Sequence, residues 1–340
     1  VLKYRQVSTM FLLVFLLFSF QVSIVNAAEC GLVLDSDVPA RSKRMIIGGT
    51  EVAGGTWPWQ VSLLKYNEAN GTWKWGGCGG TLIGERWVLT AAHCKVWTNY
   101  SVLIGSIDAS GNYNSEEIRL VNRFIQHPTY EVNPVNDDIA LLELEDSPLN
   151  SHPFVCLPSR NQSIQINSTA VATGHGATEA AEDLDYSKIT FDKKLRQTKL
   201  TIHSLFMCGR EHHQRLYDNG KHPQFRGFDL GICAGSVEHL TAKGDSGGPL
   251  MMKSNDGRWV QIGITMGSSS RRKTTTTVTP PSTSSMFPNQ SYAFESDEDI
   301  KWEPFEATFA NVQKYCDWIE QTTEGEVKCP EEEVAFQELS

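Results

Sequence analysis

Three stretches of this 340-residue chain carry side chains that could act together on one bond. In Gly244-Asp245-Ser246-Gly247-Gly248-Pro249 a serine stands between glycines, which permit a tight turn. In such a turn the N–H groups of Gly244 and Ser246 can converge on one oxygen, and loss of one such donor typically costs about 2.7–4 kcal/mol of transition-state stabilisation. The same composition also makes ordinary turns. Thr90-Ala91-Ala92-His93-Cys94 places a histidine among small residues beside a cysteine, a setting for a rigid base worth roughly 10²–10⁴-fold in rate. A single histidine among nine is more often structural. Asp137-Asp138-Ile139-Ala140-Leu141-Leu142 opens an apolar run with acid, which is expensive to bury unless it is hydrogen-bonded. An aspartate that fixes a histidine's tautomer meets that condition, and so does a plain strand-capping turn. An activated nucleophile, a base for its proton, a group that orients the base and donors for a developing oxyanion are the parts that amide hydrolysis at neutral pH requires.

The elements that must position these groups read as β. Short runs rich in branched and aromatic residues recur between Gly, Pro, Asn and Asp: Gln60–Leu64, Gly80–Leu82, Trp87–Leu89, Val102–Ile104, Ile139–Leu144 and Val260–Ile264. Such spacing predicts an all-β sandwich or barrel. Helical periodicity is confined to Phe309–Gln321, with Val312, Tyr315 and Ile319 on one face. Residues 177–194 read as a polar surface loop. Residues 268–303, with their Thr/Ser/Pro-rich core, read as a low-complexity insertion that cannot order itself by burial. The acidic tail 322–340 is expected to fray.

The N-terminus carries Lys3 and Arg5, the apolar run Phe11–Phe18 and small residues at Ala27 and Ala28, a secretory-signal pattern over residues 1–28. No other run approaches the length of a membrane span, so the expectation is a secreted, extracellular chain without a span once the signal is removed. Eight cysteines suit an oxidising compartment. Sequons at Asn70, Asn99, Asn161, Asn167 and Asn289 are candidate glycosylation sites. The formal charge of −10, with no basic stripe, argues against nucleic acid as a partner. Residues 29–45 form a polar segment ending in Arg41-Ser42-Lys43-Arg44, an accessible cleavage target ahead of Ile46-Ile47-Gly48-Gly49.

In the order His, Asp, Ser the motifs fit one known arrangement. With Thr56-Trp57-Pro58-Trp59-Gln60-Val61-Ser62-Leu63, Cys78-Gly79-Gly80-Thr81-Leu82-Ile83, Trp87–Cys94 and Tyr315–Ile319, the sequence resembles the chymotrypsin/trypsin family over roughly residues 30–320. The resemblance implies two packed six-stranded antiparallel β-barrels with a C-terminal helix, and a protease domain over 46–321. It implies Ser246 as nucleophile, His93 as general base and then acid, Asp138 as its orienter, and Gly244 and Ser246 as the oxyanion hole. It also implies disulfides Cys78–Cys94, Cys208–Cys233 and Cys30–Cys156, the last tethering the propeptide; Cys316 and Cys329 are left close together. In such a zymogen the freed ammonium of Ile46 pairs with Asp245 and orders the oxyanion hole. Neither cofactor nor metal is implied: Ser106 stands where calcium-binding relatives supply an acidic ligand. Partners would be protein or peptide substrates and protease inhibitors, on a monomer.

The match departs from the family in three places. Met45 separates the basic tetrad from Ile46, which leaves three routes: cleavage at Met45–Ile46, processing after Arg44 with later loss of Met45, or Met45 as the terminus. A bridge is absent at both ends, Ala242 and the region 267–270, and another at Ala170 and Met252. The specificity pocket aligns Leu240 with its base and Thr265, Gly267 and Ala307 with its wall, which predicts weak preference for Lys or Arg; a slipped alignment would bring Glu238 there instead. The reading is therefore a serine endopeptidase made as a zymogen, and its alternative is a catalytically weak homologue that acts as a binding or regulatory module.

Overall fold

The computed structural model describes residues 30–33, 49–69, 71–111, 113, 118–132, 135–147, 153–177, 191, 193–204, 231–236, 238–272 and 302–339. In its first half the strands are β1 (Thr50–Glu51), β2 (Gln60–Asn67), β3 (Thr72–Leu82), β4 (Trp87–Thr90), β5 (Tyr100–Ile104), β6 (Ile118–Gln126), β7 (Glu131–Val132), β8 (Val135–Asn136) and β9 (Ala140–Leu144). In its second half they are β10 (Thr169–Gly174), β11 (Arg196–His203), β12 (Gly231–Ala234), β13 (Pro249–Lys253), β14 (Trp259–Arg272) and β15 (Trp302–Asn311). A 3₁₀ turn, Val312–Tyr315, leads into helix α1, Cys316–Thr322.

Strands β2-β3-β4-β9-β6-β5 close into one antiparallel barrel. The second sheet runs β1-β11-β10-β13-β14-β15-β12, and pairing of β11 with β12 closes six of these strands into a second barrel, with β1 added outside on β11. The expected fold class of two six-stranded barrels with a C-terminal helix is what forms. Closure removes the exposed edges that an open sheet would offer.

The six apolar runs all become strands, save that Ile139 stands one residue ahead of β9, and the structure lengthens most of them. Two of the strands without such runs have local reasons for lacking them. β6 is half-buried at best, and β11 alternates strictly, with Thr198, Leu200 and Ile202 inside and Lys199 and Thr201 outside. The C-terminal helix is shorter than its periodicity predicts. Phe309, Ala310 and Asn311 continue β15, because Phe309 pairs with both Ile232 and Thr265 and is fully buried between the neighbouring strands. The insertion is also narrower than expected: β14 runs on to Arg272 and β15 begins at Trp302, so 268–272 and 302–303 are paired backbone. Residues 273–301 lie outside the described residues, as does 178–190 of the expected surface loop. At that loop's edges Ala177 is buried and Lys194 pairs with Asp108.

The largest departure is the tail, which does not fray but wraps back across the molecule. Cys329 bonds to Cys316. Val327 is buried, and an added Cβ at Gly84 would come within 2.7 Å of it. Glu326 accepts a 2.9 Å hydrogen bond from Trp87 Nε1. Further on, Gln162 makes two hydrogen bonds to the Val334 backbone, the Ser163 N–H donates to Glu333, and Phe336 bridges to Ser254. Apolar residues at Val327, Val334 and Phe336, spaced among the glutamates, supply the anchors. Arg160, in the connection between the barrels, pairs with Asp317, Glu320 and Glu331. Residues 30–33 dock in a similar way: Cys30 is bonded to Cys156, and Gly31 exchanges hydrogen bonds with Phe154 (2.8 Å) and Trp259 (2.9 Å).

Replacing Cys316 and Cys329 together by Ser should lower stability in denaturant unfolding by about 3 kcal/mol, the chain-entropy value for a loop of that size. Truncation after Thr322 should lower it further, and a truncated chain with an unchanged midpoint would contradict a packed, stabilising tail.

Candidate active site

The antiparallel pairing of β4 with β9 sets Thr90 opposite Ala140. The chain leaving β4 and the chain entering β9 therefore meet at the same end of the first barrel. His93 lies on a 3₁₀ turn, Ala92–Cys94, directly after β4, and Asp138 stands two residues ahead of β9. Ala91, Ala92 and Cys94 are fully buried, and Gln126 donates a 2.9 Å hydrogen bond to the Ala92 carbonyl, so the turn is fixed on all sides.

Asp138 holds His93 twice. Its Oδ1 accepts the His93 backbone N–H at 2.8 Å and its Oδ2 lies 2.6 Å from His93 Nδ1. The carboxylate side chain is 1% exposed and the imidazole 32%, so the acid is sequestered while the ring keeps a face to solvent. A buried carboxylate that accepts two donors from one residue fixes the ring's direction and puts the proton on Nδ1, leaving Nε2 as the basic nitrogen.

Ser246 comes to the same end from the second barrel. Its carbonyl accepts the Gly79 N–H at 2.7 Å and lies 3.8 Å from Cys94 Sγ, in the disulfide that joins Cys78 to the residue after His93. Gly247, at φ +78°, bonds through its N–H to the Thr265 carbonyl, and a Cβ there would come within 3.1 Å of the Ala91 nitrogen and into the Thr90 hydroxyl. Only glycine lets the serine turn seat against the histidine turn. Gly244 and Ser246 donate their N–H groups to no acceptor among the described residues. Cys78, His93 and Cys94 place donor atoms within 4.8 Å of one another, but both sulfurs are tied in the disulfide and Nδ1 is engaged by Asp138, so this group does not have the makings of a metal centre.

Asp245 is another buried acid. Its oxygens accept the N–H groups of Gly176 and Ala242, each at 2.8 Å. Gly174 and Gly176 pack so closely on the carboxylate that a Cβ on either would overlap it. Burial pushes this carboxyl up to about 6, against the pull of its two backbone donors. Ile46 and Met45 lie outside the described residues, as do Cys208, Asn70 and Asn289. Cys233 is disulfide-bonded, and Asn99, Asn161 and Asn167 are exposed.

The pocket residues divide. Leu240 and Ala307 are wholly buried in the second barrel's core with Ile232, Ala234 and Phe309. Thr265 is buried and its hydroxyl finds no partner among the described residues; Glu238 is exposed. At the missing bridges, the pairing of Val171 with Met251 brings buried Ala170 beside buried Met252, so apolar packing stands where a crosslink would. No motif pointed to Trp75, His175 or Phe191. Trp75 and Phe191 meet edge to face at 5.4 Å and cover Gly244, whose added Cβ would lie 2.8 Å and 3.1 Å from their rings. His175 lies 3.3 Å from the Ser62 hydroxyl, and its place in Thr173-Gly174-His175-Gly176 was the available signal.

Two closed six-stranded barrels whose joined ends carry histidine, aspartate and serine define the chymotrypsin type of fold. The family model described as Trypsin matches residues 46–286, most of the chain, and the chain belongs to the trypsin family. No helix among the described residues is long and apolar enough to cross a membrane.

Asp245 sets a pH dependence for the full-length chain. A carboxyl raised on folding stabilises the fold below its unfolded value of 3.8, and that stability is lost as pH rises to about 6, by about 3 kcal/mol in total. The thermal midpoint measured across this window should fall more steeply for the full-length chain than for Asp245→Asn; equal slopes would contradict a carboxyl raised by burial.

Proposed function

We propose that this chain is a secreted serine endopeptidase, made as a zymogen, that hydrolyses peptide bonds through Ser246, His93 and Asp138. The observation that carries the reading is the double hold of Asp138 on His93 beside the locked Ser246 turn. His93 Nε2 takes the Ser246 hydroxyl proton as the oxygen attacks the substrate carbonyl. The N–H groups of Gly244 and Ser246 receive the oxyanion. The imidazolium, stabilised by Asp138, gives its proton to the leaving amine, and water repeats the sequence on the acyl-enzyme.

Activation follows from Asp245. Cleavage before Ile46 supplies an ammonium group for a carboxylate that has only backbone donors among the described residues. The pair it forms draws the 242–246 turn into its working shape, since Asp245 is covalently bonded to both Gly244 and Ser246. Residues 1–28 act as the secretion signal, and Cys30–Cys156 keeps the severed 29–45 segment attached. Three disulfides between described residues, with Cys233 also disulfide-bonded, suit an oxidising compartment. Exposed Asn99, Asn161 and Asn167 suit glycan attachment. Substrates are proteins or peptides, with weak selection for Lys or Arg because Leu240, aligned by resemblance with the pocket base, brings no charge there.

The second reading, a catalytically weak homologue that serves as a binding module, draws on the burial of Leu240 and Ala307 and on the unpartnered Thr265 hydroxyl.

A fluorophosphonate probe separates the two. Chain processed before Ile46 should label at Ser246, with labelling and peptide cleavage both abolished in Ser246→Ala. Absence of labelling after verified processing would leave the binding module standing. Profiling on a peptide library should give no strong basic preference at the cleaved position.

A further inference from the structure

Directly before Asp138 stands a second acid with no part in the triad chemistry. Asp137 has φ +48°, in the left-handed region that few side chains accept and that Asp, Asn and Gly accept best. Its carboxylate is held from two directions. Tyr315 donates its hydroxyl to Oδ1 at 3.2 Å, and Thr129 donates its own to Oδ2 at 2.6 Å. The Asp137 carbonyl accepts the Ile139 N–H at 2.8 Å, and the Ile139 carbonyl accepts the His127 N–H at 3.0 Å, so the kink is also stitched to the end of β6.

The outer partners are themselves immobilised. Thr129 has one hydroxyl proton, and Asp137 takes it, so His127 Nδ1, 2.9 Å away, meets that hydroxyl as a donor. The Thr129 N–H approaches the same nitrogen only at 3.4 Å, the weaker of the two contacts. Burial holds His127 below its ordinary value, and its ring packs against Tyr315 and Trp318 at 5.4 and 5.0 Å. Tyr315 is buried, and burial followed by the Asp137 charge pushes its phenol up, so it remains a donor at all working pH. The next residue, Cys316, is bonded to Cys329. The chain end that leaves the second barrel is thus fastened to the residue that precedes the acid of the first.

We propose that Asp137 is a positioning residue: tethered to Tyr315 and Thr129, it fixes the left-handed kink that aims Asp138 at His93. The proposal rests on the proteolytic reading for its kinetic consequence, but its geometric content does not.

Two substitutions keep the backbone conformation and differ in the tether. Asp137→Gly accepts the same φ without a side chain, while Asp137→Asn keeps an oxygen for the Tyr315 hydroxyl. In processed chain, Asp137→Gly should lower kcat about tenfold with KM within about twofold, as expected when a catalytic group is misaimed and binding is untouched. The NMR resonance of the His93 Nδ1 proton, held by Asp138, should broaden or shift upfield. Asp137→Asn should restore both readouts, and Tyr315→Phe should move them part of the way. Wild-type kcat and an unaltered resonance in Asp137→Gly would overturn the proposal. So would an Asp137→Asn as impaired as the glycine variant, because charge and not tethering would then be the cause. Should Asp137→Gly fail to fold, Tyr315→Phe decides alone, an unmoved resonance counting against the tether. If the wild-type chain takes no fluorophosphonate label, the proteolytic reading falls, and the resonance still decides whether Asp137 aims Asp138.

Discussion

A single carboxylate, buried and bonded twice to one histidine, is the constraint on which the site depends. A charge as sequestered as that of Asp138 is costly unless donors meet it. Here both donors belong to His93, one from its backbone and one from its ring. The bond to the backbone fixes where the residue is, and the bond to the ring fixes where it points. Barrel topology makes this possible, since the ladder between β4 and β9 delivers the two residues to one end. The Cys78–Cys94 bridge then clamps the turn from the other side. Ser246 needs no such bond to be placed, because its carbonyl and the Gly247 amide are already hydrogen-bonded to neighbouring backbone.

The molecule holds its two critical acids in opposite ways. Asp138 faces one histidine and meets it through two hydrogen bonds, one to the backbone and one to the ring. Among the described residues Asp245 meets only backbone amides, and burial raises its affinity for protons. A carboxylate in that state favours whatever brings it a positive charge. Because it shares the turn with Gly244 and Ser246, a cation arriving there acts on the backbone that carries the candidate oxyanion donors. The glycines of 174–176 leave room for the carboxylate and none for a side chain, so that turn cannot relax by filling the space with anything else.

Much of this was legible in the residues because the decisive features are local. The serine turn is written in its glycines, the histidine turn in the small residues around His93, and the first barrel in runs such as Trp87–Leu89 that cannot be left exposed. What was not legible depends on partners far along the chain. β11 does not stand out in the sequence, since only two of its residues, Leu200 and Ile202, are apolar, and they become core once the second barrel closes over them. The tail reads as acidic and loose because its few anchors, Val327, Val334 and Phe336, matter only when Trp87, Gln162 and Ser254 are brought beside them. Helical period ran through Phe309 because the spacing of apolar residues is blind to the strand pairing that claims it. The pocket positions were placed by resemblance alone. Leu240 and Ala307 pack into the second core, and nothing in their own sequence neighbourhood marks them for it.

Two barrels that share one site raise a mechanical problem, because each can be well packed while their relation is loose. The proposed chemistry would require a serine from one and a histidine from the other to keep a separation set to tenths of an ångström. The chain answers with ties that cross between them at more than one level. Arg160 in the connecting segment gathers carboxylates from α1 and the tail, Gln162 binds the tail backbone, and Cys30–Cys156 with the Gly31 hydrogen bonds fastens the same connector from behind. α1 follows the last strand of the second barrel, yet Tyr315 at its start reaches Asp137 in the first. The tail's negative charge is better understood as the counterpart of Arg160, Arg86 and the Ser163 amide than as a solvating run, because each of these donors takes a carboxylate from it and so holds the tail across the molecule.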